Sequence, residues 1–423
     1  SRGRSTSPQL APAMALDPAG TFACGNPGSL ARDLKGAMGF RGFVQSDWGA
    51  THETSVAAGL DQEMPMKPDW CLETVESGRS WKRPDGGEPD RSLCHYFFSA
   101  DELSKQRAAA IDEAATRVLT PLARLRLLNT SYCAPPCETL LRVNVTSRAH
   151  AALARAAAAA SVVLLQNDGV LPLAPGTVKT IGVIGSAAHA PPYDPAGASQ
   201  GQGGWHKGDY YSGGGSGHVT AGRVVTPLQG LVARARSAGM AVRNSTSDDV
   251  DAAVALAKTV DVAIVVGGTT SGESEDRPNL SLDHGADALI AAVAAAAPKT
   301  IALVAAPGAF LTPWRGQVHA AATLFLGGQE SGAAWADVLF GDVAPSGRLP
   351  LTLPASEAQT IAPSDAPAIE YAEGLATGYR APNATRDAAF PFGHGLTYTT
   401  FAFGTPRVGA AASCAPPQAS AAT

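Results

Sequence analysis

The chain has 423 residues, 45% hydrophobic and 16% charged, with a mean hydropathy of zero; this supports a packed core and excludes a disordered or collagen-like chain. A net charge of −5, with neither sign dominating a long stretch, argues against a nucleic-acid or anionic-membrane surface. The most apolar windows, 156–165 and 288–297, are short and Ala-rich, well under the ~20 residues a membrane helix needs.

Residues 1–23 are rich in Ser, Pro and Ala and read as an unstructured lead with no secretory signal pattern. The stretch 24–130 holds a short strand at 42–46 and a loop rich in Gly, Pro and charge at 76–90. A helix follows at 101–128, with Ile111, Ala115, Val118, Leu122 and Leu125 in helical spacing. Residues 131–159 form a linker and an amphipathic helix at 150–160. From 160 to 355 apolar runs at 162–165, 180–184, 260–266, 300–305 and 322–326 alternate with helical stretches at 228–238, 249–258, 285–297 and 332–340. Continuous apolar strands alternating with helices predict an α/β fold, an open sandwich around a mostly parallel sheet covered on both faces. Residues 356–423 read as an extended, turn-rich C-terminal segment.

Asparagine usage bears on compartment. Five of seven Asn (129, 144, 244, 279 and 383) open Asn-x-Ser/Thr sequons, although Ser and Thr are only 60 of 423 residues. Chance would give about one in seven, so the enrichment favours a secreted glycoprotein. Six Cys show no zinc-type spacing; Cys133 and Cys137 suit a local disulfide, Cys71 and Cys94 could close the loop between them, and the pairing is not fixed by the sequence.

Some motifs fall away. The run 181–185 (IGVIG) lacks the third Gly and the acidic partner of a dinucleotide site, and 213–217 (GGGSG) lacks the Lys-Ser/Thr of a phosphate loop. No His cluster has metal-ligand spacing, so neither metal nor cofactor is expected. More informative is 39–50 (GFRGFVQSDWGA): Phe43, Gln45 and Asp47 share one side of a strand that ends at the carboxylate. An Asp at the C-terminal tip of a strand is where (β/α) barrels place catalytic groups, and Trp48 offers a flat face for a sugar ring. Asp47 is equally suited to cap a following helix. A second acidic cluster, 269–282 (TTSGESEDRPNLSL), follows the strand at 260–266, in the position where open α/β sheets bind ligands. Two carboxylates reaching one site from separate loops is the requirement of glycoside hydrolysis. Alone, the cluster reads as a solvated loop with an Arg277–acid pair.

Together these segments resemble glycoside hydrolase family 3, the retaining β-glucosidases and β-xylosidases. The matching stretches are 22–27 (FACGNP), 39–43, the nucleophile-like 46–49 (SDWG), 58–65 (AGLDQEMP), 158–173 (AAASVVLLQNDGVLPL), 327–332 (GGQESG), 336–354 (ADVLFGDVAPSGRLPLTLP) and 391–401 (PFGHGLTYTTF). The resemblance implies that Asp47 is the nucleophile and Glu273 the acid/base, with Glu275 a rival for the second role. The mechanism would be double displacement, with carboxyls ~5–5.5 Å apart and the Glu273 pKa raised so that it starts protonated. It implies hydrolysis of terminal β-D-glucosyl residues, a carbohydrate substrate (β-glucoside or β-xyloside) and no cofactor. Ser271-Gly-Glu273 leans towards glucosidases, whereas the short step to Asp276-Arg277 is more xylosidase-like. The last two motifs read as structural, their Gly and Pro fixing turns.

The sequence departs from the family in three places. Only 46 residues precede Asp47, whereas a (β/α)8 barrel takes ~250, so 24–130 reads as a barrel remnant lacking the family's Lys-His pair, Arg and early Asp. Gln45 replaces a usually apolar, inward-facing residue, and the C-terminal segment leads towards a fibronectin-like domain that is missing here. The expectations are therefore a β-glycosidase completed by another barrel segment or a second chain, or a non-catalytic glycoprotein remnant.

Overall fold

A computed structural model describes residues 22–46, 56–62, 108–129, 143, 145–192, 208–215, 217–273, 277–361 and 370–406. The chain divides into two units, 1–144 and 145–423.

In the first unit, Asn26 Oδ1 accepts from the backbone N–H of Gly28 (2.8 Å) and Ser29 (3.1 Å), capping a π-wound helix, Gly28–Ala37. The expected strand at 42–46 is smaller than predicted. It is a parallel bridge of Gln45 with Gln62, where Ser46 N–H donates to Gln62 O at 2.9 Å. Asp61 braces it: one carboxylate oxygen accepts from Val44 N–H at 2.8 Å and the other from Lys35 Nζ at 2.6 Å, with both side chains buried. Helix α1, Ala108–Arg124, stops before Arg126, which takes a left-handed φ of 59°. The expected start of this helix at 101–107 lies outside the described residues. Arg117 Nη1 on α1 donates to the carbonyls of Phe40 (2.8 Å) and Gly42 (2.9 Å).

The second unit begins with Ser147, whose hydroxyl accepts from His150 N–H and starts α2, Arg148–Ser161. The strands are β1 (Val163–Asn167), β2 (Thr180–Ile184), β3 (Ala241–Ser245), β4 (Val262–Gly268), β5 (Thr300–Ala305) and β6 (Ala320–Leu324). They form one sheet in the order β1-β6-β5-β4-β2-β3, parallel except for β1, which runs antiparallel to β6. This is the mostly parallel α/β sheet the alternation predicts. Strand β3 escapes prediction because it is an edge strand with exposed Ala241, Arg243 and Asn244, and carries no apolar run.

The connecting helices are α3 (Pro227–Ser237), α4 (Val250–Ala257), α5 (Ala286–Ala296) and α6 (Ser331–Leu339). Thr226 and Gln229 close a capping box on α3, and Asp249 caps α4. Two buried clusters lie on the sheet's two faces, one around Trp335, Leu231 and Ile264, the other around Trp314, Phe310 and Leu289. Each such side chain contributes on the order of 1.5–3 kcal/mol. Helix α6 is tied to α2 by a bidentate Arg155–Asp337 pair.

The open edge of β1 is covered by the motif at 391–401. Leu396 N–H donates to Leu164 O at 2.8 Å, His394 Nε2 lies 2.6 Å from Leu165 O, and the Tyr398 hydroxyl donates to Val338 O at 2.9 Å. These residues seal a sheet edge, a role beyond the turns that the sequence suggested for them.

Candidate functional site

Strand order places the site. From β2 the chain goes outward to β3, then crosses back over β2 to β4 and continues to β5 and β6. The connections therefore reverse direction between β2 and β4, and in open α/β sheets the crevice beyond the C-terminal strand ends at such a reversal is where ligands bind. Glu273 lies on the loop that leaves β4 at this edge, five residues beyond Gly268, and it is exposed.

The base of the loop is rigid. Thr269 N–H donates to Ala305 O at 2.9 Å, carrying the β4–β5 pairing one residue past the strand end, and Thr269 is buried. The segment 208–215 packs over the crevice. Tyr211 Oη donates to Ala190 O (2.7 Å) in the loop after β2, and Gly214 N–H donates to Ser271 O (2.9 Å) in the loop after β4. Asp209 holds the turn between them, its Oδ1 accepting from Tyr211 and Ser212 N–H at 2.7 Å each. Tyr210 lies against Gly268, where a Cβ would stand 2.7 Å from its ring, and its hydroxyl is 3.3 Å from Asp283 Oδ2. Burial pushes both phenols well above the usual tyrosine range, with the Asp283 carboxylate adding to the effect on Tyr210 and Asp209 to that on Tyr211. Both stay protonated and serve as braces, not as proton donors at neutral pH.

The glycine run at 213–217 acquires a meaning here. Glu273 N–H donates to Gly214 O at 3.3 Å, and Gly215 has φ 95°, so the two backbones meet side by side. A Cβ on Gly215 would collide with Glu273 Cβ and stand 2.6 Å from Oε2. The run therefore allows the acidic loop to approach closely.

Arg277 has a partner that the sequence did not suggest. Its Nη2 donates to Ala309 O at 2.7 Å in the loop after β5, while Nη1 is buried without a hydrogen-bond partner among the described residues. Burial lowers the guanidinium pKa, and the Asp283 and Glu357 carboxylates oppose this. It stitches the two loops through a carbonyl, while Glu275 and Asp276, candidates for the acid expected to pair with it, lie outside the described residues. Glu357 acts nearby through the backbone, accepting from Leu280 N–H at 2.7 Å.

Asp47, Trp48, Glu275 and Asp276 lie outside the described residues, as do Cys71, Cys94, Cys133, Cys137 and the sequon at Asn144. Among the described residues no three His, Cys, Asp or Glu side chains gather to hold a metal ion, and no helix is long and apolar enough to cross a membrane. Sequence reasoning missed the bracing loop 208–215, because its role depends on contacts with segments 20 to 70 residues away. The capping geometry of Asp209 before two aromatic residues was its available signal.

Comparison with known proteins extends these observations. Residues 162–398 match the glycosyl hydrolase family 3 C-terminal domain. The chain is 35% identical over 413 residues to a probable beta-glucosidase L of Aspergillus terreus, covering 91% of this chain and 52% of that protein. It is 32% identical to beta-glucosidase cel3A of Pyricularia oryzae, with 91% and 51% covered. Among solved structures, the beta-D-glucoside glucohydrolase of Trichoderma reesei superposes with a TM-score of 0.71 at 29% identity, over 90% of this chain and 53% of that one. DesR, a beta-glucosidase of Streptomyces venezuelae solved with D-glucose, gives 0.71 at 25%, over 92% and 61%. The chain thus spans about half the length of the curated relatives it matches. With the family's C-terminal domain matched over more than half of its residues, and with the open, mostly parallel sheet that carries Glu273 at its reversal point, the chain belongs to glycosyl hydrolase family 3.

Proposed function

We propose that this chain supplies the nucleophile and the acid/base of a retaining β-glycosidase that removes terminal β-D-glucosyl residues. The observation that carries the reading is Glu273, exposed on a braced loop at the ligand-binding edge of a family 3 domain. The names of the matched relatives favour a β-glucoside over a β-xyloside. Asp47 attacks the anomeric carbon while Glu273 protonates the departing oxygen. Glu273 then takes a proton from the water that displaces Asp47, so the product keeps the β configuration. Trp48 stacks against the sugar. This chemistry needs two carboxyl groups and water, and no cofactor. The activity is that of the assembled barrel and α/β unit together, in a secreted glycoprotein.

The test compares leaving groups in the assembled enzyme. Glu273→Ala should slow hydrolysis of glucosides with poor leaving groups by about 10²–10⁴-fold, the usual worth of general acid catalysis. It should spare a dinitrophenyl glucoside, and added azide should restore turnover by forming a β-glucosyl azide. Equal loss on good and poor leaving groups, with no azide product, would remove Glu273 from this role.

A further inference from the structure

Away from the strand ends, the loop after β5 and the segments 352–360 and 378–388 enclose a cleft of about 290 Å³, near the lower limit for small-molecule sites and large enough for one sugar ring. Its walls include Ala309, Pro354, Pro382 and Ala388. Of the polar groups beside them, Thr352 Oγ1 is buried without a hydrogen-bond partner among the described residues, the Asp387 carboxylate is paired with Arg386, and Gln359 and Thr360 are engaged. Gln359 Oε1 accepts from Ala355 N–H at 2.6 Å, its Nε2 donates to Asp387 O at 2.8 Å, and Thr360 Oγ1 donates to Glu357 O at 2.8 Å. The cleft therefore offers flat apolar faces, one hydroxyl at Thr352, and a carboxylate at Asp387 already neutralised by Arg386.

Asn383 lines this cleft and opens the sequon Asn383-Ala384-Thr385. It is exposed, holds a left-handed φ of 63° at the start of the short helix α7, Ala384–Asp387, and makes no side-chain cap bond. Its carboxamide is thus available, whereas Asn279 Oδ1 already accepts from Ser281 N–H at 3.0 Å and Asn244 lies within β3. Thr385, which completes the sequon, is also exposed.

We propose that Asn383 is N-glycosylated and that the cleft seats the first N-acetylglucosamine of its glycan. In the transfer, Asn383 Nδ2 bonds to the anomeric carbon of a lipid-diphosphate-linked oligosaccharide. The C–O bond to the diphosphate breaks with its electron pair, and Nδ2 gives up one proton. Once attached, the sugar is tethered at the rim at an effective concentration in the millimolar range, so modest contacts suffice to hold it. Its apolar ring face and acetamido methyl find Pro354, Pro382 and Ala388, and the glycan joins 378–388 to 352–360. This site is independent of the glycosidase reading and stands without it.

The experiment uses the full chain secreted from a eukaryotic host. Site-resolved mass spectrometry measures occupancy, and peptide-N-glycosidase release at Asn383 is timed on native and on denatured protein. We expect an occupied Asn383 whose glycan is released about tenfold more slowly from the native fold, the protection a seat worth one decade in equilibrium gives. Ala388→Phe leaves the sequon intact and fills the cleft, and should bring native release up to the denatured rate. A bare Asn383, or native release as fast as denatured release, would overturn the proposal.

Discussion

Gly215 shows how much of the site depends on one missing methyl. Its φ of 95° is costly for any residue with a Cβ, and the Cβ would enter the space of Glu273. Gly215→Ala should therefore displace the carboxylate by about 1 Å while the sheet stays intact. Misplacement on that scale costs about 10²-fold in turnover. Gly217→Ala, with nothing within 4 Å of its Cβ, is the matched control. Unchanged kcat in Gly215→Ala, with unchanged circular dichroism, would show that the glycine run does not position Glu273. The sequence displayed this run but not its purpose. A composition of Gly and Ser is common to phosphate loops, linkers and close backbone contacts, and only the pairing of Gly214 with Ser271 and Glu273 distinguishes them. The bond from Arg277 to the Ala309 carbonyl was hidden for a similar reason, since its partner lies 32 residues away.

At the scale of elements, periodicity served the buried strands well. Strands β2, β4 and β5 are continuous β-branched or apolar runs, and their edges fall within two residues of the pattern. It failed at β3, whose edge position lets polar side chains stand in a strand, and at 42–46, where the ladder reduces to one bridge at Gln45 braced by Asp61. The crossing of α3 and α6 was equally hidden. Gly230 and Gly332 let the two helices touch backbone to backbone: a Cβ on Gly230 would overlap the Gly332 carbonyl, and one on Gly332 would overlap that of Thr226. Here two effects oppose each other. Helix propensity favours Gly230→Ala by about 1 kcal/mol, whereas overpacking a close contact costs about 1–3 kcal/mol and more when the obstacle is backbone. The obstacle is backbone, so Gly230→Ala should lower the melting temperature of the α/β unit by several degrees. A melting temperature equal to or above wild type would show that the helices can part without cost.

Across the whole molecule, the two units carry different amounts of legible information. The α/β unit was readable because its sheet is buried on both faces, which forces apolar runs long enough to see, and because its family model extends over 162–398. In the first unit the motif around Asp47 was open when read alone, a carboxylate before Trp and Gly being equally suited to catalysis and to capping a helix, and only the resemblance to the family suggested its role. What joins the units chemically is the claim that Asp47 and Glu273 serve one reaction. The most direct test is incubation of the assembled enzyme with a 2-deoxy-2-fluoro-β-glucoside, whose covalent intermediate turns over slowly, followed by peptide mass spectrometry. The account predicts a single fluoroglucosyl adduct on Asp47; an adduct on Glu273, Glu275 or Asp61 would contradict it.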